Sequence, residues 1–198
     1  MGIKKGEWFL IAFNLLYILG FAIYYLYLKN YEFMIYIAVL VLLFIILLLV
    51  QRRVKFSYTI LWMLSIWGLL HMMGGGVHLP NGDVLYRWVP IEIYNANDQL
   101  GEFVILKFDQ ILHFYIYFVM SFVLVHLLSG VVKVKKWYFY LVVALASMGL
   151  SVVNELIEFS TVVYIGSTGV GGYVNTLLDL LFNSLGAVCG ALVARLRR

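Results

Sequence analysis

Residues 137–160 read WYFYLVVALASMGLSVVNELIEFS, an apolar run that ends in a polar group containing Glu155 and Glu158. A helix rises about 1.5 Å per residue, so about 20 apolar residues cross the roughly 30 Å hydrocarbon core of a bilayer. The run is therefore long enough to span a membrane. Two carboxylates one helical turn apart are unusual in such a segment, and they direct attention to the rest of the chain.

The composition is that of an integral membrane protein. Of the 198 residues, 64% are hydrophobic and only 12% are charged, whereas soluble domains carry about 25% charged residues. Six windows of suitable length and hydropathy predict six transmembrane helices, at residues 8–28, 33–50, 57–73, 109–128, 137–160 and 176–194. We therefore predict an all-α, polytopic membrane helical bundle that forms a single domain over residues 1–198.

The basic residues predict the orientation of this bundle. If six helices alternate, most of the fourteen Lys and Arg residues fall on one side: Lys4, Lys5, Arg52, Arg53, Lys55, Lys133, Lys135, Lys136, Arg195, Arg197 and Arg198. The positive-inside rule then places both termini in the cytoplasm. We expect the chain in the plasma (inner) membrane. The anionic cytoplasmic leaflet is a sufficient partner for the net charge of +4, and we expect membrane lipids and no nucleic acid as partners.

The extracytoplasmic loop at residues 74–108 is the one long connection. A loop of that length is uncommon in a compact domain, which predicts structure of its own or a role as a lid. Within it, Asn81 and Gly82 between apolar flanks predict a hairpin turn.

Polar side chains converge on the outer third of the bilayer from four separate predicted helices. These residues are His71, Asp109, His113, Asn154, Glu155, Glu158, Asn175, Asp179 and Asn183. Spacings of three and four residues place the polar side chains of each helix on one face. Gly186 and Gly190 continue the polar face of the last helix, and this small-residue pattern predicts that the face packs against other helices.

The carboxylates have no Lys or Arg partner inside the predicted helices. An ionised carboxylate near the bilayer centre costs at least about 2.5 kcal/mol, so protons, water, a cation or a cationic ligand must offset the charge. Carboxylates with imidazoles suit zinc, manganese or iron, and carboxylates alone suit magnesium or calcium. We predict a divalent metal ion (zinc, manganese, iron or magnesium) with His71, Asp109, His113 and Glu155 as ligands. Glu155, Glu158 and Asp179 are the candidate catalytic groups, and Asn154, Asn175 and Asn183 support them.

Structural roles also fit several of these residues. Thr176 and Asp179 match a capping box, in which Asp179 would satisfy backbone N–H groups at the start of the last helix. Asp109 would lie in the headgroup region, and His71 at the water boundary. His126 has no polar neighbours in the predicted helices, so we expect a structural role for it.

Three motifs carry a resemblance to a known family: DQILHF at residues 109–114, NELIEF at 154–159 and NTLLDLLFNSLGA at 175–187. They resemble the YjdF-type family of bacterial and archaeal inner-membrane proteins, which is more distantly similar to VanZ-like proteins. The resemblance implies a small multi-pass membrane protein whose polar positions match those above, and it supplies no activity. The VanZ-like similarity, associated with low-level glycopeptide (teicoplanin) resistance, points to the cell envelope.

Three classes of function fit these residues. The first is a metal-dependent membrane hydrolase or transferase acting on a lipid-linked or envelope substrate. The second is a proton- or ion-coupled transporter that uses the carboxylates as a relay, although the inner halves of the helices offer few polar residues for it. The third is a non-catalytic lipid-binding or assembly protein.

Overall fold

The computed structural model describes residues 5–98, 101–133, 136–165 and 172–197. It contains six helices that are long and apolar enough to cross a membrane, which confirms the predicted polytopic bundle. They are α1 (Lys5–Leu28), α2 (Tyr31–Val54), α3 (Tyr58–Gly76), α4 (Phe108–Ser129), α5 (Trp137–Ile165) and α6 (Tyr173–Leu196). The placement of both termini in the cytoplasm stays a prediction.

Local signals in the sequence account for the short turns between the first three helices. The Asn30 side chain caps α2 by accepting a hydrogen bond from the backbone N–H of Phe33 at 3.2 Å. Ser57 caps α3 in the same way, through the N–H of Ile60. Side-chain oxygens at these positions satisfy N–H groups that have no partner within the helix. The result is a tight arrangement of α1, α2 and α3.

α4 and α6 pack against each other more extensively than any other pair of described helices. A Cβ atom at Gly186 would lie 2.2 Å from the backbone oxygen of Phe114, and one at Gly190 would lie 2.4 Å from that of Phe118. Only glycine permits this approach. The small-residue face predicted for the last helix therefore packs against α4, and it brings the polar residues of the two helices together.

Three apolar clusters form the core of the described helices. One joins α1, α2 and α3 around Tyr25, Phe33 and Met72. A second joins buried residues of α4, α5 and α6, including Val143 and Ala191. It lies at the end of the bundle opposite the polar residues. The third joins α1 and α3 to α4, where Val119 is fully buried.

The segment between α3 and α4 has structure of its own. A 3₁₀ helix (Leu85–Arg87) is followed by two antiparallel strands, β1 (Tyr94–Asp98) and β2 (Gly101–Ile105). The predicted turn at Asn81 and Gly82 is present, closed by a bridge between His78 and Val84. The sequence did not predict the β1–β2 hairpin. We call the end of the bundle that carries this hairpin the hairpin end; α4 and α6 begin there.

The hairpin is joined to the helices by a buried side chain. Gln110 of α4 donates a hydrogen bond from Nε2 to the backbone oxygen of Val104 at 2.8 Å. Its Oε1 accepts hydrogen bonds from the backbone N–H groups of Leu106 and Lys107. Strand β2 also contacts α6. The hairpin is therefore fixed over the start of α4 and α6.

Large apolar side chains cover the outer surface of the helices. Leu16 is 77% exposed, and Leu42 of α2 and Leu145 of α5 are also exposed. Exposed leucines around the whole bundle would be unfavourable in water and are suited to contact with acyl chains. The chain is thus a multi-pass membrane protein in contact with lipid.

The close approach of α4 and α6 predicts a sharp difference between glycines. Gly186→Ala should lower the stability of the folded protein by about 1–3 kcal/mol, because the new methyl group meets rigid backbone. Gly20→Ala is the matched control, since a Cβ there has no atom within 4 Å. Thermal unfolding of the detergent-purified proteins measures both. Equal melting temperatures for Gly186→Ala and the unaltered protein would contradict the packing described.

Candidate functional site

Eight of the nine predicted polar residues form one continuous network of hydrogen bonds and ion pairs. They are Asp109, His113, Asn154, Glu155, Glu158, Asn175, Asp179 and Asn183. At about 1.5 Å per residue, most of these positions lie about 7–15 Å from the hairpin end of their helices. Within the described residues, the ion pairs of these carboxylates are all with His113. The network is therefore buried and rich in carboxylates.

Asn183 connects α4, α5 and α6 at the centre of the network. Its side chain is fully buried. The Nδ2 atom donates a hydrogen bond to Oε1 of Glu155 at 3.0 Å, and Oδ1 lies 2.9 Å from Nδ1 of His113. A carboxylate can only accept, so the amide nitrogen faces Glu155 and the amide oxygen faces the imidazole. One amide thus orients both ionisable groups.

This orientation determines the tautomer of His113. Oδ1 of Asn183 can only accept a hydrogen bond. Nδ1 of His113 therefore carries a proton and donates to this oxygen. In the neutral imidazole, Nε2 then has a free lone pair. Nε2 lies 3.5 Å from Oδ1 of Asp109 and 3.9 Å from Oε1 of Glu158. Nε2 therefore faces two carboxylates, with which it forms ion pairs when the imidazole is protonated.

Two further amides hold the remaining carboxylates. Asn175 donates from Nδ2 to Oδ2 of Asp179 at 2.5 Å and lies 3.4 Å from Oδ2 of Asp109, so it brings these two acids together. Asn154 donates to Oε1 of Glu158 at 2.8 Å. Asp179 is 1% exposed, and its Oδ1 has no hydrogen-bond partner. A buried carboxylate oxygen without a partner is costly and calls for a cation or a proton.

His71, the ninth predicted residue, lies across a small cavity from the network. The cavity has a volume of about 10 Å³, enough for one water molecule or one ion, and is lined by His71, Asp109, His113 and Glu158 among others. The imidazole stacks on Trp67, with ring centroids 5.1 Å apart. His71 therefore faces the site without a direct bond to its carboxylates.

Tyr86 fixes the position of His71. Its hydroxyl donates to the backbone oxygen of His71 at 2.8 Å and lies 2.5 Å from Nδ1. A phenol has one proton, so both contacts are hydrogen bonds when Nδ1 of His71 donates to the hydroxyl oxygen. Burial raises the pKa of Tyr86 well above its ordinary value, as do the charges of Asp109 and Glu158, and the phenol therefore remains protonated. Both imidazoles of the site accordingly keep Nε2 free of a proton when they are neutral.

The geometry of the cluster suits a metal ion. Two sets of side chains offer ligand atoms within 4.8 Å of one another: Asp109, His113 and Asp179, and His113, Glu155 and Glu158. Ligands about 2.1 Å from a tetrahedral ion lie about 3.4 Å apart. The 3.5 Å between Nε2 of His113 and Oδ1 of Asp109 matches that distance. A histidine that binds a metal usually donates its other ring N–H to an oxygen acceptor. Nδ1 of His113 has such an acceptor in Oδ1 of Asn183.

The structure contradicts the capping-box interpretation of Thr176 and Asp179. That interpretation is wrong, because α6 begins earlier, with Gly172 as the N-cap, and Asp179 lies in the interior of the helix. Asp109 is in the first turn of α4 but bonds inward to the network. His126 lies 3.1 Å from the backbone oxygen of Val54, outside the network.

Sequence reasoning missed three residues near the site. Tyr86 comes from the loop, where no periodicity indicates which side chain turns inward. Tyr36 of α2 lines a second cavity, of about 30 Å³, together with His71 and Glu158. Its hydroxyl donates to Oε1 of Glu32 at 3.1 Å, and Oε2 of the buried Glu32 has no hydrogen-bond partner. Glu32 carries no distinct signal in the sequence, because an acid in the first turn of a helix is common.

These features define a class of protein: a multi-pass membrane protein with a buried cluster of carboxylates and imidazoles near one end of the bundle. The chain belongs to the family described as "Predicted membrane protein (DUF2238)", which matches residues 9–198. This match confirms the resemblance to a YjdF-type membrane family. The VanZ-like similarity stays a prediction. No curated protein and no solved structure matches the chain significantly.

The central position of Asn183 predicts a large effect of its removal. Asn183→Ala removes the amide that bonds both the buried Glu155 oxygen and the His113 N–H, and each lost hydrogen bond to a buried group costs about 1–3 kcal/mol. Ser184→Ala is the control, since among the described residues the Ser184 hydroxyl bonds to the Leu180 carbonyl of its own helix and not to the network. Thermal unfolding in detergent with a chelator present should show a large loss for the first variant and a small one for the second. Similar values for both would contradict the network.

Proposed function

We propose that the protein is a metal-dependent membrane hydrolase whose site lies at the hairpin end of α4, α5 and α6. Asp109, His113 and Asp179 bind a divalent cation, and Glu158 acts as the general base. Glu155, Asn175 and Asn183 hold these groups in position. His71, oriented by Tyr86, faces the reacting group from the other side of the cavity.

The position of Nε2 of His113 is the observation that carries this proposal. Nδ1 is bonded to Asn183, while Nε2 lies 3.5 Å from Oδ1 of Asp109 and 3.9 Å from Oε1 of Glu158. The shorter of these separations matches the distance between neighbouring ligands of a metal ion. A cation between these groups would complete the arrangement.

Charge supports the same assignment. Four carboxylates lie within the network, and the nearby basic groups among the described residues are imidazoles. In a medium of low dielectric constant their mutual repulsion would be large. A divalent cation offsets two of the four charges and satisfies the unpartnered Oδ1 of Asp179. A single proton would offset one charge, and a water molecule would offset none.

The ligand types favour manganese or zinc. One imidazole with two carboxylates is a mixed set, and imidazole suits zinc or iron while carboxylates suit manganese or magnesium. Notably, Glu155 does not belong to the favoured set, although it was a predicted ligand. Its Oε1 accepts from Asn183 and lies 3.5 Å from the protonated Nδ1 of His113. We therefore assign it a positioning role.

Glu158 has the position required of a base. Its carboxylate lines both small cavities, and Asn154 binds only one of its oxygens among the described contacts. The bound cation would polarise the substrate oxygen and make water a stronger nucleophile. Glu158 takes a proton from that water while the water oxygen adds to the ester carbonyl carbon. The ester C–O bond then breaks, and the departing alcohol oxygen takes the proton from Glu158.

Transport is less well supported by the arrangement of the helices. A relay across the membrane requires polar groups from end to end. Beyond Asn183, the described part of α6 packs through Gly186, Ala187 and Gly190 directly against α4. A non-catalytic lipid-binding role shares the same residues but does not require the cation, so metal analysis separates it from the hydrolase.

The metal site predicts about one divalent ion per chain. Protein purified in detergent, loaded with Mn²⁺ or Zn²⁺ and desalted, should retain the ion in elemental analysis. His113→Gln, Asp109→Asn and Asp179→Asn should each lower retention at least about tenfold, as expected for loss of a ligand or its support. Manganese-loaded protein should also show nitrogen coupling in pulsed electron paramagnetic resonance, and His113→Gln should abolish it.

His126→Gln is the matched control, because His126 lies on the same helix and outside the network. Glu32→Gln is a second control for removing a buried carboxylate. Both should retain the ion. Failure of the unaltered protein to retain any of Mn²⁺, Zn²⁺, Fe²⁺ or Mg²⁺, or equal retention by His113→Gln and His126→Gln, would overturn the proposed function.

A further inference from the structure

A large apolar cleft runs along the bundle beside the site. It has a volume of about 360 Å³ and lies between α2, α3, α4 and α5. Its lining extends from Val39 to Val50 on α2 and from Ile116 to Leu127 on α4. At about 1.5 Å per residue, each of these walls is about 16 Å long. The cleft is therefore about as long as one leaflet of a roughly 30 Å hydrocarbon core is thick.

The cleft is open to the membrane on its side. Leu43 and Val153 line it, yet they are 47% and 53% exposed on the surface of the bundle. Because the surrounding medium at this depth is hydrocarbon, a lipid chain can enter laterally without crossing water. The apolar lining offers such a chain contacts equivalent to those of the bilayer.

One end of the cleft meets the candidate site. Trp67 and Asn154 line the cleft and also both small cavities, which His71 and Glu158 line as well. Asn154 is the residue that donates to Glu158. A chain in the cleft would therefore place the group at its end next to the general base.

The lining and size of the cleft favour a hydrocarbon chain as its occupant. The walls are predominantly apolar and about 16 Å long. The volume of the cleft is about 360 Å³. It is at the lower end of the range for small-molecule sites, which begins near 300 Å³. A single hydrocarbon chain fits this size and shape.

We infer that the substrate is a lipid with an ester group, one hydrocarbon chain of which occupies the cleft between α2 and α4. This inference rests on the proposed hydrolase function for the nature of the reacting group. The chain positions the ester carbonyl beside Glu158, and the cleft walls set the length of chain accepted. Membrane lipids thus act as substrate as well as solvent.

A photoreactive lipid tests the inference. The purified protein is placed in phosphatidylcholine nanodiscs that contain a monoacylglycerol with a diazirine in the middle of its chain. After illumination, mass spectrometry locates the labelled residues. Labelling should concentrate on cleft residues that are not exposed on the outer surface, such as Met120 and Tyr117, and excess unlabelled monoacylglycerol should compete with it.

Val153→Phe and Val152→Phe form the matched pair of variants. Both positions are about half exposed, at 53% and 48%, but only Val153 lines the cleft. Displacing two methylene groups from the cleft weakens binding about tenfold, since each contributes about 0.8 kcal/mol. Val153→Phe should therefore reduce cleft labelling about tenfold, and Val152→Phe should leave it unchanged.

Metal retention by the same variants separates this inference from the proposed function. Uniform labelling of the lipid-facing surface, or equal labelling in both variants, overturns the cleft assignment even where the metal is retained. Cleft labelling that responds to Val153→Phe in a protein that retains no metal overturns the hydrolase and supports the chain-binding cleft alone.

Discussion

The close contact between α4 and α6 is the constraint on which the site depends. Two glycines allow the helix backbones to approach until a methyl group would no longer fit between them. That approach places Asn183 of α6 within hydrogen-bond distance of His113 of α4 and of Glu155 of α5. Without it, Asn183 would not reach His113, and Asn175 would not reach Asp109. Packing and chemistry are therefore coupled through one helix face.

The site places strong charges in surroundings where they are costly. Helices of this kind have to satisfy their polar groups internally, since lipid offers no hydrogen bonds. Side-chain amides of α5 and α6 donate hydrogen bonds to oxygens of these carboxylates. The hairpin covers the start of α4 and α6. Oδ1 of Asp179 has no hydrogen-bond partner, and Nε2 of His113 faces Asp109 and Glu158. In the function proposed above, a cation binds these two atoms.

Much of this arrangement could be predicted from the sequence, because membrane helices follow simple rules of length and periodicity. Six spans are apparent from hydropathy, and the i, i+4 spacing of Asp109 and His113 places them on one face. The clustering of residues from distant segments was predicted from their depth and from the helix faces that they share. The capping-box interpretation of Asp179 failed because the pattern of Thr176 and Asp179 occurs inside a helix that starts earlier, at Tyr173.

Tyr86 and the β1–β2 hairpin could not be predicted, since a loop side chain is positioned by tertiary contacts that have no period in sequence. The tautomer of His113 was equally inaccessible, because it depends on a contact between residues 70 positions apart.

The proposed metal site depends on the proton at Nδ1 of His113 and the lone pair at Nε2. Nitrogen-15 NMR of protein labelled at its four histidines measures this directly, with His113→Gln used to assign the signal. We predict that His113 of the Zn²⁺-loaded protein carries its proton on Nδ1, and that removing Zn²⁺ with a chelator shifts the Nε2 resonance far more than that of Nδ1. A proton on Nε2 in the loaded protein, or a His113 signal that does not respond to Zn²⁺, would contradict the central claim.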